Sequence, residues 1–137
     1  MAGYSGTPLP QKLGIKPGYA VAFAGAPPSF AAALGELPPN VEVRDAEFAE
    51  RLDVAVFFTM HADELEGAFR RFGPLVAPAG SLWIAWPKRA SGMPTDVSEN
   101  VVRDVGLACG MVDVKVCAID ETWSGLKFVY RLKDRPR

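Results

Sequence analysis

Histidine occurs once in this chain of 137 residues, as His61, and cysteine only twice, as Cys109 and Cys117. Two cysteines are too few for a secreted disulfide scaffold. Two Cys and one His in distant segments also lack the paired spacing of a zinc site. Both cysteines are therefore expected as reduced core residues of a cytoplasmic protein. Charge of one sign is not in excess: 15 Lys and Arg stand against 16 Asp and Glu, a net charge of −1. Such a chain has no general field for nucleic acid, which calls for a basic face. No apolar run approaches the ~20 residues that span a bilayer. The opening "MAGYSGTPLPQKLG" has no basic n-region followed by an apolar h-region, so no signal peptide is expected. No internal repeat and no G-x-S-x-G elbow occurs, and no catalytic motif is complete.

What is present is hydrophobic residue in quantity, 49% of the chain, which suits one compact domain with a single core. "YAVAFAG" (19–25), "DVAVFFT" (53–59) and "SLWIAWP" (81–87) are short continuous apolar runs, the pattern of strands buried on both faces. "VEVR" (41–44) is a shorter strand. Between these runs lie helical patterns. Thr7 caps a short helix that opens on Pro8 and ends near Gly14. "PSFAAALGEL" (28–37) follows the first strand, and "AEFAERL" (46–52) makes at most one or two turns. Residues 62–76 repeat Leu65, Ala68, Phe69, Phe72, Leu75 and Val76 at three- and four-residue spacing. Asp96 caps the next helix, with Glu99 three residues on as in a capping box. Val97, Val101, Val105 and Ala108 are its inward face, and Gly110 stops it. "VDVKVCAIDE" (112–121) and "LKFVYRL" (126–132) alternate as an antiparallel hairpin, with "TWSG" as its turn. The tail "RLKDRPR" is locally basic and reads as a solvated terminus.

Strands alternating with helices predict a single-domain α/β protein, a three-layer Rossmann-like sandwich. Its six-stranded, mostly parallel sheet ends in a C-terminal antiparallel hairpin. Alternation along 81–87 sends Trp83 and Trp86 to opposite faces, both buried, with Trp86 nearer the strand's carboxyl end.

That plan resembles the class I S-adenosylmethionine-dependent methyltransferases, and the resemblance implies a methyltransferase-type sheet order, 2-1-3-4-6-5. "LGIKPGYAVAFAGAPPS" is similar to their opening, "LVAPAGSLWIAWP" to their strand after an L-x-P-G-G-x-L turn, and "DETWSGLKFVYR" to their final hairpin. The chain is short by one strand–helix unit. A second likeness is to a small bacterial family, domain-of-unknown-function family 3052. "YSGTPL…KLGIK", "LWIAWPK" and "DETWSGLKFV" carry it over nearly the whole chain; it implies the fold and no reaction. The methyltransferase resemblance implies a glycine-rich turn after the first strand and an acid within it. Here the acid's place is held by Phe23, the second glycine's by Pro27 and the third's by Ser29, while Gly25 survives. Asp45 stands where an acid would hold ribose hydroxyls. Proline lacks an N–H and its ring fills space, so S-adenosylmethionine binding is not expected, and no other cofactor is implied.

In this architecture ligands sit outside the carboxyl ends of the strands. Four segments converge there: "GAPPS", "TMH", "PKRAS" and "DETWS". The candidate ligand-binding residues are Gly25, Ser29, Lys88, Arg89, Asp120, Trp123 and Ser124. Lys88 and Arg89 suit a phosphate or carboxylate; the alternative is a solvated loop pair. Asp120 and Glu121 point opposite ways on a strand, so at most one faces the crevice. Trp123 either covers the crevice or closes the core edge. His61 stands at the rim as a conceivable base with no nucleophile at defined spacing. The expected function is a non-catalytic methyltransferase-like module for a small anionic ligand or a protein partner. The alternative is an active transferase with an altered cofactor grip. A partner would cover apolar surface that the absent strand–helix unit leaves bare.

Overall fold

The structure, a computed structural model, describes residues 7–131 apart from residue 77. The basic tail of the sequence reading lies, beyond Arg131, outside the described residues. In chain order the elements are α1 (Leu9–Lys12), β1 (Ala20–Ala24), α2 (Phe30–Leu34), β2 (Glu42–Val43), β3 (Val54–Phe58), α3 (Leu65–Val76), β4 (Ser81–Pro87), α4 (Glu99–Ala108), β5 (Val112–Ala118) and β6 (Trp123–Val129). The sheet order is β2-β1-β3-β4-β6-β5, as expected. The first four strands run parallel, and β6 is antiparallel to both β4 and β5.

Each face of the sheet carries its own apolar layer. Leu82, Ile84 and Trp86 of β4 pack with Leu65, Phe69, Phe72 and Val76 of α3, Val102 of α4 and Phe128 of β6. Trp83 and Ala85 point the other way, onto Leu13, Ile15, Val21, Phe30, Val56 and Phe58. The continuous apolar runs are thus explained: a strand between two helical layers needs apolar residues at every position. Trp83 is fully buried and its Nε1 donates to the carbonyl of Leu13 at 3.1 Å. That carbonyl lies at the end of the four-residue helix α1, where backbone acceptors lack helical partners.

Several local expectations are corrected. Thr7 does not cap α1: the N-cap is Pro8, without a side-chain bond, and Pro10 also sits in the first turn. Asp96 does not cap α4. Its Oδ1 accepts from the N–H of Ala62, 34 residues away, and the cap is Ser98, whose Oγ accepts from Val101 N. The buried face of α4 is accordingly Val102 and Gly106; Val101 and Val105 are half-buried and Ala108 is exposed. Residues 46–52 form no helix. Asp45 Oδ1 takes the N–H of Glu47, while Arg71 and Arg44 take the carbonyls of Ala46 and Arg51, so side chains supply the bonds a helix would have made internally. The hairpin turn comes earlier than expected. Asp120 Oδ1 accepts from Thr122 N at 2.8 Å and Trp123 N at 2.7 Å, which turns the chain at 120–122 and puts Trp123 and Ser124 inside β6.

Candidate functional site

The connections from β1 and β3 leave in opposite directions, β1 through α2 on one face and β3 through α3 on the other. This switch point is where an open α/β sheet offers a crevice. Gly25, directly after β1, has φ +70, and a Cβ on it would lie 2.8 Å from the carbonyl oxygen of Phe58. Only glycine fits so near the end of β3 with that backbone. Below the loop runs a file of rings: Phe23 to Phe30 at 5.0 Å, Phe30 to Phe58 at 4.8 Å, Phe58 to Trp123 at 5.4 Å. Edge-on and tilted contacts of this kind rigidify the layer. Phe23, Pro27 and Pro28 thus belong to an aromatic, donor-poor turn.

At these strand ends, on the α3 face, lies a cavity of about 800 Å³. Ala24, Phe57, Ala68 and Phe72 form its apolar wall. Arg44, Asp45, Glu47, Glu64 and Arg71 supply its polar rim. Small residues make the room: Gly25 at its edge, and Gly67 and Ala68 on α3. Arg71 is held in place by the carbonyl of Ala46 at 2.6 Å and stacks on Phe72 at 5.2 Å. Arg44 is held by Glu42, which keeps the Glu42 carboxyl below its usual pKa through a hydrogen bond and the opposite charge. Glu64 is hydrogen-bonded by the Thr59 hydroxyl. β2 is an edge strand; Val43, which lines the cavity, is 56% exposed, and Phe48 in the stretch that follows is 75% exposed.

A second cavity of about 750 Å³ lies at the end of β4, lined by Trp86, Arg89, Thr95, Asp96 and Glu99 among others. Arg89 shares it with two carboxylates. The seven candidate residues are not brought together. Gly25 lines the first cavity and Arg89 the second; Ser29, Lys88, Asp120, Trp123 and Ser124 line neither. Ser29 sits at the start of α2 on one face, while Ser124, paired with Trp86, faces the other. The backbone of Lys88 ties the hairpin down, its N–H donating to Thr122 at 2.7 Å. Asp120 is buried and spent on its turn. Trp123 closes the core edge against Phe58. His61 is exposed and opens a 3-10 turn over 62–64. Cys109 and Cys117 are free and half-buried, and burial raises the Cys117 thiol above its usual pKa. Among the described residues no three of His, Cys, Asp and Glu converge as a metal ion requires. Nor, among them, is any helix long and apolar enough to cross a membrane.

Sequence reasoning missed Arg44, Glu64 and Arg71. Their only signal is a cation or an acid near a strand end or on a helix face, which solvated residues share.

Solved structures with this arrangement include a putative methyltransferase and a complex with SAH. A putative type 11 methyltransferase from Sulfolobus solfataricus superposes with TM-score 0.64 at 11% identity, covering 94% of this chain and 93% of that one. The fold is methyltransferase-like. DhpI, in complex with SAH, gives TM-score 0.61 at 13% identity over 91% of this chain and 83% of its own. Fibrillarin, a pre-rRNA processing protein of Methanococcus jannaschii, gives 0.57 at 14% over 92% and 70%. No family model and no curated protein matches the chain. The likeness to domain-of-unknown-function family 3052 therefore has no support beyond the sequence motifs, and these methyltransferase-like identities speak for the fold alone.

Proposed function

We infer that this chain is a non-catalytic binding module on a methyltransferase-like fold, with its ligand in the cavity between the ends of β1 and β2 and helix α3. The observation that carries the reading is the turn after β1, which is poor in backbone donors. Gly25 abuts the Phe58 carbonyl, and Phe23, Phe30, Phe58 and Trp123 fill the layer beneath. A cofactor gripped there needs backbone N–H groups and open space, and Pro27 and Pro28 withhold donors. The cavity alongside is of small-molecule size. Its walls favour a compact molecule with a flat apolar body against Phe57 and Phe72 and hydrogen-bond donors toward Asp45 and Glu47.

The test is native mass spectrometry of gently purified protein, paired with titration calorimetry against S-adenosylmethionine and its demethylated product. The expected result is a retained metabolite and no micromolar heat from either nucleoside. Gly67 supplies the control, since nothing lies within 4 Å of a Cβ placed there. Gly67→Phe fills the cavity without disturbing the core and should abolish retention. One observation favours the transferase reading: Gly25 and Asp45, both of which match the methyltransferase pattern, line the same cavity. Micromolar affinity for S-adenosylmethionine, lost in Asp45→Ala, would establish that reading and overturn the first.

A further inference from the structure

At the opposite end of the sheet is a smaller cavity of about 330 Å³, between the Gly14–Lys16 segment and the amino ends of β3 and β4. Its lining includes three cations, Lys16, Arg51 and Lys127, and one carboxylate, Asp53. The Asp53 Oδ2 already accepts from the N–H of Ala20 at 2.8 Å. The ion pairs among the described residues use Arg44, Arg70 and Arg103, and none reaches the three cations of this cavity.

Lys127 is the unusual member. It lies on β6, an inner strand, and is half-buried. Its direct partner on β4 is Trp83, and on β5 it is another lysine, Lys115. Like charges placed opposite each other on a sheet destabilise it. Lys115 has a structural task, its Nζ donating to the carbonyl of Lys12 at the end of α1 at 3.4 Å. Lys127 has none of that kind: its Nζ stands 3.5 Å from where a Cβ on Gly14 would be, at the cavity wall. Burial, and then the charges of Lys115 and Lys16, lower its pKa from the usual lysine value. Ser81 lines the same cavity and is only 6% exposed.

We propose that this cavity is an anion site for a phosphate-bearing small molecule, held by Lys127, Lys16 and Arg51 with the Ser81 hydroxyl as an additional donor. Three cations against one engaged carboxylate leave the cavity with surplus positive charge in a chain of net charge −1. The volume suits a phosphoryl group with a small body attached. The site is separate from the carboxyl-end cavity and does not depend on what binds there.

The experiment is a thermal-shift and calorimetric titration with inorganic phosphate, pyrophosphate and a sugar phosphate, against chloride at equal ionic strength. The wild type should bind at least one phosphate ligand saturably, and Ser81→Ala should weaken it several-fold. Inorganic phosphate binding as well as the sugar phosphate would assign the site to the free ion; preference for the sugar phosphate would assign it to a metabolite. Lys127→Met should abolish the response while raising the melting temperature of the unliganded protein, because it removes the opposition to Lys115. A lysine with a purely structural role predicts the reverse, a lower melting temperature. Absence of any shift beyond chloride, or a shift that survives in Lys127→Met, overturns the proposal. The distant Lys88→Ala/Arg89→Ala variant should respond like the wild type.

Discussion

Two glycines on helices show how one residue's surroundings reverse the sign of the same change. Gly106 of α4 lies against the ring of Phe128, and a Cβ there would come within 2.2 Å of a ring carbon. Phe128 is itself fully buried and meets Phe69 edge-on at 4.8 Å, so the ring has no free direction. Gly67 of α3 has open space around its Cα. Alanine favours a helix over glycine by ~1 kcal/mol at either site. At Gly106 overpacking of ~3 kcal/mol outweighs that gain. Gly106→Ala is therefore expected to lose about 2 kcal/mol, and Gly67→Ala to gain up to about 1 kcal/mol, both read from urea unfolding midpoints. Neither outcome is visible in the sequence, where both glycines are mid-helix and look alike. What decides them is an aromatic ring 22 residues further along the chain in one case and its absence in the other.

Elements here are terminated by whichever side chain the fold delivers, and the start of α4 is the clearest instance. A capping box headed by Asp96 fits the spacing to Glu99, yet the helix begins at Ser98. Asp96 is drawn to the N–H of Ala62, the first residue of the turn after β3. The two substitutions therefore separate. Ser98→Ala should cost ~1 kcal/mol as a lost helix cap, with increased amide exchange confined to the first turn of α4. Asp96→Ala should leave those amides protected and loosen residues 62–64 instead. Equal exchange profiles for the two variants would count against this division. The hairpin follows the same rule, for Asp120 holds the N–H groups of Thr122 and Trp123 and thereby sets the β6 register. The sequence pattern placed Asp120 on the preceding strand and the turn at "TWSG", so neither its turn-forming role nor its bonding partners were legible there.

The whole molecule is two apolar layers separated by one sheet, and its three tryptophans sample both. Trp83 and Trp123 belong to the α1–α2 side and Trp86 to the α3–α4 side, with exposures of 0%, 7% and 6%. Acrylamide should quench the native emission several-fold less efficiently than free tryptophan, and fully once denaturant unfolds the chain. A native constant near the free value would contradict the three-layer architecture. A vacancy also exists at this scale. The stretch between β2 and β3 crosses the α3 face as irregular chain, which leaves the 800 Å³ cavity and exposes Val43 and Phe48.

The sheet order was implied by a family resemblance, and the sequence by itself determined the alternation of strands and helices and the opposite facing of Trp83 and Trp86. These follow from local pattern: a run apolar at every position must be covered on both sides, and a strand's side chains alternate strictly. It also marked Phe23, Pro27 and Pro28 as a turn poor in backbone donors. Only the tertiary structure decided how the charged and polar groups are used. Asp96 meets Ala62, Arg71 meets Ala46, and Lys115 meets Lys12 103 residues away. It likewise set Ser29 and Ser124 on opposite faces and gathered Lys16, Arg51, Ser81 and Lys127 around one hollow. Burial is written into a chain as a repeating pattern, whereas a hydrogen bond between distant segments depends on where two particular atoms arrive, and no spacing along the chain records that.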